Sequence, residues 1–251
     1  MNTSDPITSA LKGLTLKEMD AATLVFAIEN AVDEMSIQSG TLRLAMEVAT
    51  LAHLEQSRKN GIKSDIDPYI VHPLRNVLRL IRYGCADADV LAATALHDTV
   101  EDQPKKLIPL LGGIPIDNEE PYETRQRALT LIAERFGPRI AETVAAVTNP
   151  INYGQDGNAS GYRDHVVDAI SDPAVFLVKF SDFVDNAGSV KYLATTPRLK
   201  LVAKYEPLVE PFKEAARSLG STLNLPQTGL DGIAEHIATI ESDFARLRAS
   251  N

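Results

Sequence analysis

Four polar residues close an apolar run near the middle of this chain. Leu91-Ala92-Ala93-Thr94-Ala95-Leu96 is followed by His97-Asp98-Thr99-Val100-Glu101-Asp102. On a helix, 97/101 and 98/102 are i,i+4 pairs and 98/101 is an i,i+3 pair, so these side chains share one face. An imidazole and three carboxylates would then converge at the inner end of a buried helix. That much charge beside apolar surface is costly without a counter-cation. A divalent metal is the simplest remedy, since imidazole and carboxylate are both ligands such an ion accepts. His72, in Pro68-Tyr69-Ile70-Val71-His72-Pro73-Leu74, supplies a second imidazole within reach.

The elements that must position these groups read as helices. Leu24, Ile28, Ala31 and Met35 form a stripe that predicts a helix over 17–35, and a second stripe predicts one over 42–57. Asn60-Gly61 marks a turn, and 65–68 reads as a loop. Pro73 suits the first turn of a helix running to Tyr83, which places His72 at its start. Gly84 ends that helix, and Asp87 caps a central helix over 88–101. Pro104 stops the central helix soon after Asp102. Residues 104–121, rich in Pro and Gly, read as irregular. Further helices are expected over 122–136, 139–147, 162–170, 174–186, 197–219 and 231–249, with a loop over 149–160. Residues 1–16 read as a polar, frayed lead. Strand signals are weak and no repeat is found. The expectation is an all-α chain with one domain over 1–251, its core at about 40–219 and a C-terminal helix at 231–249.

Composition narrows the function. With 251 residues, 44% apolar and 24% charged, the chain is ordinary for a globular protein and long enough for a substantial core. No apolar run approaches the roughly 18 residues that span a bilayer. Met1 to Ala10 lacks the basic and apolar regions of a signal peptide. A lone cysteine, Cys85, excludes an internal disulfide and fits a reducing compartment, so a cytoplasmic location is expected. The net charge of −9 argues against a nucleic-acid partner. It would also repel a polyphosphate unless a local basic rim offsets it. Arg58, Lys59, Lys179, Lys191, Lys200 and Lys204 are candidates for such a rim.

The string "RKNG…PYIVHPL…ALHDTVED…FG…VT…VKFSDFVDNA" resembles the hydrolase domain of the RelA/SpoT family, within the HD superfamily of metal-dependent phosphohydrolases. Members of that family read close to "RKSGEPYIVHPL…LLHDVVEDT…KLADRLHN", and the resemblance runs from about Leu51 to Tyr205. It implies an HD-domain helical bundle. It assigns metal ligation to His72, His97, Asp98 and Asp182, with manganese the usual ion; ligand chemistry alone also allows zinc or iron. It gives catalytic roles to Glu101 and Asp102, with Glu101 the base for a water. The substrate it implies is a small nucleotide, guanosine tetra- or pentaphosphate, relieved of its 3′-pyrophosphate. Arg58 and Lys59 match the family's "RK" beside the pocket. Asn186 matches its asparagine near the nucleoside, and Tyr205 is carried over from "KY". His53 reads as structural and His236 as exposed, while His165 lies within reach of the site without an assigned role.

Three departures border the expected pocket. The loop between Gly61 and Pro68 is longer than the family's, about a score of residues are added between Asp102 and Phe136, and "KLADRLHN" stands here as Lys179-Phe180-Ser181-Asp182-Phe183-Val184-Asp185-Asn186. No ligand is lost, so metal binding is still expected and the nucleotide stays open. NADPH, an adenosine alarmone, or binding without catalysis by a nucleotide-sensing regulator are the alternatives. No GYP motif follows the His-Asp pair, which disfavours a cyclic-dinucleotide phosphodiesterase. No synthetase-like region is recognised, so a stand-alone small hydrolase is expected. The oligomeric state is open, with a homo-oligomer allowed.

Overall fold

The computed structural model describes residues 5–60, 64–151 and 159–249. Gly61 of the expected turn, and most of the expected 149–160 loop, lie outside the described residues. In chain order the helices are α1 (Pro6–Gly13), α2 (Ala21–Glu34) and α3 (Gly40–Ala52). A two-stranded antiparallel hairpin follows, β1 (Ser57–Asn60) and β2 (Ser64–Pro68), then α4 (Val71–Arg82), α5 (Ala88–Leu96), the single turn α6 (Thr99–Asp102), α7 (Pro104–Leu110) and α8 (Pro121–Phe136). The chain continues through α9 (Pro138–Val147), α10 (Ala159–Ala169), α11 (Pro173–Ala187), α12 (Thr195–Tyr205), α13 (Val209–Leu219) and α14 (Gln227–Ala249). The all-α helical-bundle expectation holds, with the hairpin as a small addition. Among the described residues, no helix is long and apolar enough to cross a membrane.

The core is built around α5. Every residue from Val90 to Leu96 is buried, and α5 packs on α3, α4, α9 and α11. Its small alanines let those neighbours approach, and its leucines fill the gaps. Truncating the fully buried Leu91 to alanine would cost roughly 2–5 kcal/mol through lost transfer energy and the cavity left behind. Helix α4 is buried from Val71 to Ile81 although it carries His72, Arg75, Asn76 and Arg79. Those polar groups must therefore find partners inside the protein. Helix α14 closes over the far end of α4. A Cβ built on Gly229 would lie 1.9 Å from the Tyr83 carbonyl oxygen, so only glycine permits that approach.

Four element expectations are corrected. Residues 6–13 form a helix because the Asp5 carboxylate accepts from the Ile7 and Thr8 amides and caps it. Residues 104–110 are helical because Pro104 sits at the first helical position, where its missing N–H costs nothing. The 197–219 helix is broken at a 3-10 turn, Glu206–Leu208, where Pro207 interrupts it. The hairpin was missed because short polar strands carry no alternation of apolar residues. Its register is Ser57↔Pro68, Arg58↔Asp67 and Asn60↔Ser64, with a bulge between Arg58 and Asn60.

A fifth correction reaches the site. The central helix does not run unbroken from 88 to 101; α5 stops at Leu96, and His97 and Asp98 form a turn before α6. His97 Nδ1 bonds back to the Thr94 carbonyl at 2.8 Å, and the Thr99 hydroxyl donates to the Leu96 carbonyl at 2.7 Å. Side chains thus take carbonyls at the helix end that would otherwise lack partners.

Candidate metal centre

Three elements deliver four donor side chains to one place. His72 comes from the first turn of α4, His97 and Asp98 from the turn after α5, and Asp182 from the middle of α11. Donor atoms of His72, His97 and Asp182 all lie within 4.8 Å of one another. His72 Nε2 is 2.9 Å from Asp182 Oδ1 and 3.5 Å from Asp98 Oδ2, and His97 Nε2 is 3.1 Å from Asp98 Oδ2 and 3.7 Å from Asp182 Oδ1. All four expected ligands are therefore brought together. The Tyr69 hydroxyl donates to Asp98 Oδ2 at 2.6 Å, and the Asn186 amide donates to Asp182 Oδ1 at 2.6 Å, so each carboxylate is steered from outside the cluster.

The cluster suits a cation. His97 Nδ1 is committed to the Thr94 carbonyl, which leaves Nε2 as the lone-pair nitrogen. That Nε2 is fully buried and makes no hydrogen bond. A buried orphan nitrogen facing two carboxylates is what a bound divalent ion would satisfy. The electrostatics agree. Burial opposes a charge on His97, yet Asp98 and Asp182 outweigh it and raise its affinity for a proton well above the ordinary value. Burial would also raise the Asp182 carboxyl, but the two imidazoles outweigh it and hold it well below the usual range.

Behind His72 lies a carboxylate that the sequence reading missed. His72 Nδ1 bonds Asp185 Oδ2 at 2.8 Å, an arrangement that fixes the tautomer and turns Nε2 toward the cluster. Asp185 also accepts from Arg75 Nε and Nη2 at 2.9 and 3.0 Å and from Arg79 Nη2 at 3.1 Å. Lys17, which follows α1, reaches it at 2.9 Å. The signal was present: Asp185 follows Asp182 by three on α11, and Arg75 and Arg79 follow His72 by three and seven on α4. Each spacing puts the supporting group on the ligand's own helix face.

Beyond His97-Asp98, Glu101 and Asp102 take different partners. Asp102 is exposed and accepts from Gln56 Nε2 at 2.7 Å, on the hairpin side. Glu101 is held on the other side, with the Asn149 backbone and side-chain amides donating to it at 2.9 and 3.1 Å. Burial raises the Glu101 carboxyl above its ordinary value against the pull of those two bonds.

The expected substrate residues divide. Arg58, on β1, donates to the Asn186 side-chain oxygen, so these two stand together over Asp182. The Lys59 side chain lies outside the described residues. The Tyr205 ring is buried, edge-on to Phe183 and Tyr162. Of the expected rim, Lys191 pairs with Asp243 of α14 at 2.9 Å and Lys200 is exposed, whereas Lys179 and Lys204 both feel the charges of Asp182, Glu101 and Asp98. His53 is buried, bonded to Gln56 and stacked on Tyr69, as a structural histidine should be. His236 is half-buried and bonded to the Tyr83 hydroxyl rather than exposed, because α14 packs it over the end of α4.

No family model matches the chain. It is 32% identical over 172 residues to a guanosine-3′,5′-bis(diphosphate) 3′-pyrophosphohydrolase of Aquifex aeolicus, covering 68% of this chain and 20% of that protein. It is 30% identical over 193 residues to a GTP pyrophosphokinase of Streptomyces coelicolor, covering 75% of this chain and 19% of the relative. A 70-residue stretch is 41% identical to a guanosine-3′,5′-bis(diphosphate) 3′-pyrophosphohydrolase of Xenopus tropicalis, 27% of this chain and 37% of that one. The chain thus spans about a fifth of the length of its two bacterial relatives. A solved structure, described as a metazoan ortholog of SpoT that hydrolyzes ppGpp, superposes with a TM-score of 0.53 at 18% identity, over 72% of this chain and 97% of that one. Over 68–75% of its length the chain is similar in sequence to these two bacterial proteins, and it shares the fold of the metazoan SpoT ortholog.

Proposed function

We propose that this chain is a metal-dependent (p)ppGpp 3′-pyrophosphohydrolase. The observation that carries the reading is the meeting of His72, His97 and Asp182, with Asp98 against both imidazoles, and a separately held, half-buried carboxylate, Glu101, four residues after His97. His72, His97, Asp98 and Asp182 would hold a divalent ion, with manganese preferred and zinc or iron accepted by the same donors. The ion supplies Lewis acidity and makes a water acidic enough to react near neutral pH.

The chain's own residues do the rest. Glu101 takes a proton from the attacking water, and its raised proton affinity suits that exchange. Water adds to the phosphorus bonded to the ribose 3′ oxygen, the P–O3′ bond breaks with the departing O3′ taking up a proton, and pyrophosphate and GDP are the products. Arg58, fixed by Asn186, offers a planar cation for the base to stack on. Asp102 orders Gln56 and the hairpin that carries Arg58, acting on the reaction through position.

The test is product analysis. Metal-stripped protein is incubated with and without manganese against guanosine tetraphosphate and, separately, NADPH. Manganese-dependent release of pyrophosphate and GDP is expected. Orthophosphate from NADPH alone would overturn the substrate and keep the centre; no turnover of either with metal bound would overturn the hydrolase reading.

A further inference from the structure

One buried cation near the centre has no partner among the described residues. Lys179 is 6% exposed, and among the described residues its ammonium makes neither an ion pair nor a hydrogen bond. It lies on α11 one turn before Asp182, on a helix that packs against both α10 and α12. A second ammonium stands close by: Lys204 of α12 sits over the Tyr162 ring of α10, 4.4 Å from its centroid. The two lysines repel each other, and both are attracted by Glu101, Asp182 and Asp98 without touching them. His165 of α10, which also feels the charge of Lys179, keeps a buried Nε2 with no hydrogen-bond partner.

A buried ammonium left without a counter-charge is unfavourable, and proteins rarely retain one unless something else supplies the anion. We infer that Lys179 and Lys204 form an anion subsite beside the metal cluster, lined on the α10 side by His165, that takes a phosphoryl group. Metal on one side and two ammonium groups on the other would straddle a phosphate chain. This also answers the problem set by the net charge of −9: the attraction is local and lies at the reacting end of the site. Burial lowers the proton affinity of Lys179 against the pull of the three carboxylates, and an arriving anion restores it. The inference rests on the proposed function only for the identity of the molecule that carries the phosphate. The subsite itself depends on the chain alone.

The test uses the full chain and inorganic pyrophosphate as probe, titrated by calorimetry into metal-loaded and metal-stripped protein. Lys179→Met keeps the side-chain length and removes a buried charge, so its melting temperature should hold or rise. Pyrophosphate affinity should fall on the order of tenfold or more, as expected for loss of a charge-assisted hydrogen bond. Lys204→Met should lower it severalfold, and metal affinity should stay within about twofold in both variants. Lys179→Arg should recover part of the loss, which a purely structural lysine would not show. Pyrophosphate affinity unchanged in both methionine variants would overturn the subsite. So would pyrophosphate binding by the wild type that vanishes on metal removal. If guanosine tetraphosphate is not turned over but pyrophosphate binding still depends on Lys179, the proposed function falls and the subsite stands. If turnover is found and pyrophosphate binding ignores both lysines, the reverse holds.

Discussion

Asp185 and Lys179 are buried charges on the same helix, less than two turns apart, and the protein treats them in opposite ways. Asp185, with no exposed side-chain surface, accepts from His72 and Arg75 and is held by Arg79 and Lys17 as well. Lys179 makes no such contact among the described residues. The difference separates two tasks. A group that holds a metal ligand in place must be satisfied within the fold, because an incomplete buried polar network leaves its members mobile and costly. A group that meets a ligand gains by staying unsatisfied until the ligand arrives. The inner wall, where α4 meets α11, is over-bonded; on the opposite side of α11 the buried Lys179 has no partner among the described residues.

The comparison can be broken first at the cluster itself. His97→Ala or Asp98→Ala removes one of the four proposed ligands. Turnover should fall on the order of 10³-fold or more, about 4 kcal/mol in the barrier. Elemental analysis should show metal content lost along with it. Unchanged turnover in a folded Asp98→Ala protein would remove the site assignment.

Glu101→Gln should lower kcat by about 10²–10⁴-fold with metal content retained. The base must be ionised to work, and burial raises the Glu101 carboxyl. The wild-type kcat should therefore climb with pH along a limb placed above the ordinary glutamate value and level off at higher pH. That limb should be missing from the variant. A limb that persists would hand the role to another group.

Asp185→Asn tests the inner wall. Metal affinity should drop about 10–100-fold, as for loss of an orienting partner to a ligating histidine. Stability should fall roughly 3–5 kcal/mol, because Arg75 and Arg79 would be left buried without their counter-charge. Denaturant unfolding checks this, and its contrast with Lys179→Met sharpens the comparison: removing one charge should be ruinous and removing the other nearly free.

The smallest effect concerns Lys17. Burial pushes its ammonium down to about 8, against the attraction of Asp185, from 10.5. The folded chain therefore gives up this proton before the unfolded chain does, and the penalty for burying the charge is relieved as pH rises from about 8 to 10.5. The wild type should gain stability relative to Lys17→Met across that window. Melting curves of both proteins at pH 7.5, 9 and 10.5 measure the difference; a difference that stays flat would show that Lys17 is not buried against Asp185.

Much of the fold, and the four donors that the structure brings together, was legible in the chain, and the reason is spacing. Helix periodicity is local, so most element expectations survived, with errors where a proline opened a helix or a cap rescued a polar stretch. His72, His97, Asp98 and Asp182 could be named because residue type and the family resemblance marked them. The supporting groups were harder to see. Arg75 and Asp185 are separated by 110 residues and His72 and Asp185 by 113, and nothing in either local pattern says which buried charge will meet which.

By itself, the sequence determined an all-helical chain, an acidic surface and four side chains able to hold a cation. Only the tertiary structure decided how the neighbouring carboxylates are used. At the His97-Asp98 turn side chains capture the carbonyls of Thr94 and Leu96, and just beyond it Glu101 is held by Asn149 and Asp102 by Gln56. Tertiary packing likewise left Lys179 buried and unanswered while surrounding Asp185 with donors. Burial and partner choice are properties of the assembled helices, because the energy of a buried charge depends on what the rest of the chain brings to it.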